Sequence, residues 1–164
     1  MSEAHHFLPS PGPRYRRRLE VQIAPLENGL CEATARLEFQ YPDAVVCRVY
    51  ELVLRIDEAT RTIVDARAPV FFAENESCAT TLPLVQQLVG LNVLEKYLWR
   101  IHRLFGASSG CQHLLELSEE IGRAWFNRMT SRFKQGMESF DPSIVAEHCA
   151  GLRSAALKLM GGTR

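Results

Sequence analysis

Cys111 and His113 stand in the string Gly106-Ala107-Ser108-Ser109-Gly110-Cys111-Gln112-His113-Leu114-Leu115-Glu116-Leu117, where a serine and glycine stretch stops one helix and starts the next. Backbone N–H groups in the first turn of a helix lack intrahelical partners and carry positive partial charge. A thiol placed there ionises more readily, and the thiolate is both nucleophile and metal ligand. Two positions apart, the pair would diverge on a regular helix. At a helix start, with the backbone still half in the turn, both can face one point. Glu116 follows His113 by three residues and is spaced to orient its imidazole. Cys111, His113 and Glu116 are therefore the candidate catalytic residues, as nucleophile, general base and orienting carboxylate. The packing alternative makes Cys111 a small buried hydrophobe and His113 a hydrogen bonder beside the helix cap.

A second thiol, Cys78, lies in a similar strand-to-helix transition, and Cys47 lies early in the third expected strand. Cys47, Cys78, Cys111 and His113 make four ligands of the kind that suits tetrahedral zinc or an iron–sulfur cluster. None belongs to a tight Cys-x-x-Cys pair, the strong form of that signal. Scattered core cysteines are the plain alternative. The run Arg14-Tyr15-Arg16-Arg17-Arg18 combines basic and aromatic residues, the ingredients of a phosphate- or nucleic-acid-binding patch. No charge excess stands behind it, since 19 basic and 19 acidic residues cancel. A solvated strand start is the expectation, with no nucleic-acid partner. His102 is expected on a helix surface, and His5 and His6 are expected to be inert. No glycine-rich phosphate loop, nucleophile-elbow serine or His-Glu-x-x-His zinc motif is present.

The elements that must position these residues follow from the apolar pattern. The 164 residues are 46% hydrophobic and 23% charged, enough for one domain with a real core. Residues 1–13, with Pro9, Pro11 and Pro13, read as a flexible arm, and 14–164 as a single domain. Leu19, Val21 and Ile23 alternate with polar neighbours, and Cys31–Phe39 alternates again after the turn Pro25-Leu26-Glu27-Asn28-Gly29. A third run covers 45–56 with Val49, Leu52, Leu54 and Ile56 near one register, and a fourth covers 62–70. Short consecutive connections predict an antiparallel four-stranded meander.

The period then turns helical. One stripe is Leu82, Val85, Leu88 and Val89; the next is Leu94, Tyr97, Leu98, Ile101 and Leu104/Phe105. A third is Leu114, Leu117, Ile121, Trp125 and Met129, and a last helix runs from Pro142, capped by Asp141, through Leu159. The expected fold is α+β, with three to four helices packed on one face of the sheet. Five cysteines without paired spacing suggest a reducing compartment. The first residues lack a basic start followed by an apolar run, and no stretch is long and apolar enough to span a membrane. The expectation is a cytoplasmic protein with no membrane partner.

In the order Arg17-Arg18, Leu54-Arg55-Ile56-Asp57, Cys78 and Gly106 through Leu117, the chain resembles the bacterial family called domain of unknown function 2889. The resemblance runs from about Arg14 to Phe126, and the Gly-Cys-x-His-Leu string is its specific part. Arg48-Val49 stands where the family often has a His-Asp pair. The resemblance implies a shared site at Cys111 and His113 and no assigned activity. The chain is also similar, more distantly, to the iron–sulfur scaffold domain of the nitrogen-fixation U type. There one Cys lies near a strand, one after the sheet, and a His/Cys pair at a later helix start. Cys47, Cys78, Cys111 and His113 fall in comparable places, with the order of His and Cys reversed. Three functional expectations follow. The first is a metal- or thiol-site protein on this scaffold. The second is a small enzyme or binding protein for an organic acid or acyl substrate, using Cys111 or His113 with Arg17 or Arg18 on the carboxylate. The third is a module whose late helices dock on a protein partner.

Overall fold

Four β-strands come first in the computed structural model, which describes residues 15–41, 48–73, 76–106 and 110–134. They are β1 (Arg16–Pro25), β2 (Leu30–Gln40), β3 (Arg48–Asp57) and β4 (Ile63–Phe71), and each is antiparallel to the next in the order β1-β2-β3-β4. The meander is closed by tight turns. Asn28 and Gly29 take left-handed backbone at φ 59° and 72° between β1 and β2, a conformation these two residue types tolerate best. Between β3 and β4, the Asp57 carboxylate accepts the Thr60 N–H at 2.7 Å and its hydroxyl at 2.9 Å, and Arg61 turns the chain at φ 60°. The two turns are tied together where Glu58 N–H meets the Gly29 carbonyl at 2.9 Å.

Period-two alternation decides what each strand buries. On β2, Cys31, Ala33, Ala35, Leu37 and Phe39 enter the core, while Glu32, Thr34, Arg36 and Glu38 stay partly exposed. On β3 the buried set is Tyr50, Leu52, Leu54 and Ile56, with Val53 also covered. Tyr50 therefore holds the place in the register expected for Val49. The opposite side chains pair as ions across strands: Arg36 reaches Glu38 at 2.8 Å and Glu51 at 3.2 Å, and Glu32 receives Arg55 at 3.3 Å and Arg67 at 3.0 Å.

The helical half departs from expectation at its start. A short α1 (Glu76–Ala79) carries Cys78, and the stripe from Leu82 forms a 3₁₀ segment, Leu82–Leu88, rather than an α-helix. Pro83 lacks an N–H, and the Gln86 side chain ties the segment to β4 by donating to the Ala66 carbonyl at 2.7 Å. Residues 90–93 then pair with 61–63 along the β4 edge, through Gly90 N–H to Ile63 O at 2.8 Å and Val93 N–H to Arg61 O at 3.0 Å. That pairing covers backbone groups that an edge strand would leave open. The next helix, α2 (Tyr97–Phe105), starts later than the stripe from Leu94 suggests. Asn92 Oδ1 accepts the N–H groups of Leu94 and Glu95 at 3.0 Å each, and Lys96 breaks the helical run at φ 53°. Leu98, expected on the buried stripe, is exposed.

The third stripe holds throughout. In α3 (Gln112–Lys134), Leu114, Leu117, Ile121, Trp125 and Met129 are all buried in one cluster with the inner residues of β2 and β3. Gly122 on the same helix admits the Tyr97 ring, which would lie 2.9 Å from an added Cβ. The arm at 1–13, Cys47 and the helix expected from Pro142 lie outside the described residues. No helix among the described residues is long and apolar enough to cross a membrane.

Truncation along the α3 stripe has a calculable cost. Leu117→Ala is expected to lower unfolding free energy in urea by about 2–5 kcal/mol, while Gln112→Ala at the exposed start of α3 changes it by less than about 0.5 kcal/mol.

Candidate functional site

The string around Cys111 is first of all a close crossing of backbone. A Cβ on Gly110 would lie 2.0 Å from the Phe105 carbonyl oxygen, and one on Gly106 would lie 2.6 Å from that of His102. Both glycines let the chain leave α2 and enter α3 with no room for a side chain between. Cys111 follows directly. Its carbonyl accepts the Leu115 N–H at 3.0 Å, and its side chain is 7% exposed within the core cluster.

His113 is half-buried on the end of the sheet. Its imidazole stacks on the Tyr50 ring at 4.0 Å and 15°, and meets the Phe39 ring edge-on at 5.5 Å. Phe39 and Tyr50 themselves contact at 6.1 Å, and Phe71 meets Tyr50 at 5.4 Å. Arg17 approaches the same Phe39 ring, its guanidinium carbon 5.7 Å from the centroid. Glu116 ion-pairs with Arg17. The carboxylate expected to orient His113 is thus engaged by an arginine from β1, one helical turn further along α3. Arg48, at the start of β3, lies 4.8 Å from the Tyr41 ring and 5.5 Å from Phe72. Tyr15 completes the group at 5.3 Å from Tyr41. Two cations, an imidazole and a wall of aromatic rings therefore meet where β1 and β3 begin and β2 and β4 end.

The other predicted residues have separate surroundings. Arg18 pairs with Glu20 at 2.7 Å on an exposed edge. His102 is a helix-surface residue, as expected, held by Glu119 at 2.6 Å. Cys78 is half-buried on α1. Among the described residues, no three His, Cys, Asp or Glu side chains gather closely enough to hold a metal ion. Cys78, Cys111 and His113 therefore do not by themselves compose a zinc or iron–sulfur site, and the fourth expected ligand, Cys47, lies outside the described residues.

A second polar cluster, unforeseen in the sequence, lies at the far end of α3. The fully buried Cys31 thiol donates to Glu58 Oε1 at 2.6 Å, Arg128 pairs with the same oxygen, and Arg132 lies 3.6 Å from it. Burial, helped by the hydrogen bond to the carboxylate, pushes the Cys31 thiol up to about 11. Burial works against the charge on Glu58, but the donors Cys31 and Arg128 and the two positive charges outweigh it, so its pKa is lowered. Arg128 and Arg132 stand four positions apart, one helical turn, and that spacing names no partner 70 residues away.

The sign of these shifts sets the pH response. The folded state holds the Cys31 proton more tightly than the unfolded chain, so its contribution is complete below the ordinary thiol value near 9 and is lost as pH rises toward 11. Urea titrations between pH 9 and 11 are expected to show a shallower loss of stability in Cys31→Ala than in the parent protein. Glu58 acts in the other direction: its contribution is present above the ordinary value near 4.5 and fades as pH falls below it. Glu58→Gln is expected to flatten that acid limb.

A search of the curated proteins finds no match, and neither does a search of the solved structures. A family model does match, over residues 15–127, and it is described as a protein of unknown function (DUF2889). The matched span takes in all four strands, both glycines of the backbone crossing, Cys111, His113 and most of α3. This chain belongs to that family of proteins of unknown function, DUF2889.

Proposed function

We propose that this protein binds a small organic acid at the end of the sheet, with Arg17 receiving the carboxylate and His113 exchanging a proton with the ligand. One observation carries the reading: Arg17 and His113 both lie against the Phe39 ring, so a cation and an imidazole share one aromatic surface. A guanidinium has five N–H donors in a fixed fork, and the pair with Glu116 uses only part of it. Stacking on Tyr50 sets the plane of the imidazole, the kind of orientation that proton transfer needs. The Arg17 and Glu116 side chains are about a third exposed (35% and 30%), open enough for a ligand to reach. In this reading Cys111 packs the helix start and is not the nucleophile, and the helices cover one face of the sheet to hold the site rigid.

Calorimetric titration with acetate, succinate and benzoate tests the proposal. At least one acid is expected to bind saturably. Arg17→Ala is expected to weaken that binding by about tenfold or more, the scale of one charge-assisted hydrogen bond, while Arg18→Ala leaves it unchanged. Equal affinity in Arg17→Ala, or in His113→Asn, would overturn the reading. Metal content measured on tag-free protein separates the alternative. Stoichiometric zinc or iron, lost in Cys78→Ser, would replace acid binding with a metal site that includes Cys47.

A further inference from the structure

The cluster around Glu58 opens onto a cavity of about 340 Å³ at the opposite end of the sheet from His113. Its walls include the left-handed turn at Asn28-Gly29, the β3–β4 turn with Asp57, Glu58 and Arg61, and the last described turns of α3. Small-molecule sites start at roughly this size, about 300 Å³. We propose that it is a second binding site, for a small metabolite bearing an oxyanion, phosphate or carboxylate.

Charge and geometry support this. Arg61, Arg128 and Arg132 line the cavity against two carboxylates, Asp57 and Glu58. Asp57 is committed to the turn, since its Oδ1 accepts both the N–H and the hydroxyl of Thr60. Glu58 meets Cys31, Arg128 and Arg132 through a single oxygen, Oε1. Arg61 has no ion-pair partner among the described residues, so one positive charge remains to be balanced. The Arg128 guanidinium lies 5.2 Å from the Trp125 ring, which holds its fork in one plane, the arrangement that matches a flat or tetrahedral oxyanion. Trp125 and Met129 supply an apolar wall for the body of the ligand. The floor is rigid because Glu58 N–H is bonded to Gly29 O across the two turns.

Arg61 also provides the clean test. Left-handed backbone at φ 60° strains an arginine and suits a glycine. Arg61→Gly therefore removes the unbalanced charge without harming the fold, and its Tm in anion-free buffer is expected to equal or exceed that of the parent. Full-length Arg17→Ala protein, in which the site at the His113 end is disabled, is titrated with inorganic phosphate and, separately, with succinate. Saturable binding of either anion is expected, weakened about tenfold or more when Arg61→Gly is added. The tighter anion assigns the ligand as a phosphate or a carboxylate. Absence of saturable binding by both anions, or equal affinity in Arg61→Gly, overturns the proposal.

Discussion

The burial of one helix face against one meander is the constraint on which both ends of this molecule depend. Leu114, Leu117, Ile121, Trp125 and Met129 repeat at three- and four-residue steps, and each is lost from water against the inner residues of β2 and β3. Because that stripe is continuous, α3 has one rotation and one direction across the sheet. His113 and Glu116 are delivered to the ends of β2 and β3, and Arg128 and Arg132 to the turns at the other side. Each end is then pinned by an ion pair to a strand or turn, Glu116 to Arg17 and Arg128 to Glu58. Half-exposed pairs like these add little stability individually. Their consequence is positional, since they hold cations beside an imidazole at one end and beside a cavity at the other.

The glycines that draw the eye to the Cys111 string have a steric explanation. The Phe105 carbonyl occupies the space a Cβ on Gly110 would need, so α2 and α3 can approach only with glycine there. Cys111 follows into the core, and His113 reaches the aromatic cluster because it is two residues further round the helix start. The Cys111 side chain is buried in the core cluster, and the His113 ring packs on Tyr50 and Phe39 of that same cluster.

Electrostatic neutrality of the whole chain conceals an uneven distribution. Acids and bases on the polar face of the sheet cancel locally, with Arg36 shared by Glu38 and Glu51, and Glu32 shared by Arg55 and Arg67. On α2, Arg103 lies 4.8 Å from the Trp99 ring, and positive charge also gathers at the two ends of α3. There it lies against rings, Phe39, Tyr41 and Phe72 for Arg17 and Arg48, and Trp125 for Arg128. An arginine stacked on a ring keeps its planar fork oriented while its N–H groups stay available for hydrogen bonds.

Local pattern alone determined the strands, their order of inward and outward residues, and the α3 stripe, because alternation and 3.6-residue spacing are properties of neighbouring positions. It also marked Arg17 and His113 as residues of interest. It misplaced the segments at Leu82–Leu88 and before Tyr97, where side chains bond to backbone outside the helical pattern: Gln86 donates to the Ala66 carbonyl on β4, and Asn92 accepts the N–H groups of Leu94 and Glu95. Partnerships were beyond it for the same reason. Glu116 could be spaced to His113 on paper, but only the packing of α3 across β1 decides that it meets Arg17. The contacts of Cys31 with Glu58 and of Glu58 with Arg128 join positions 27 and 70 residues apart, and nothing local encodes them. Periodicity fixes which face of an element is buried, whereas the register between elements, set by the packed core, chooses which charges meet.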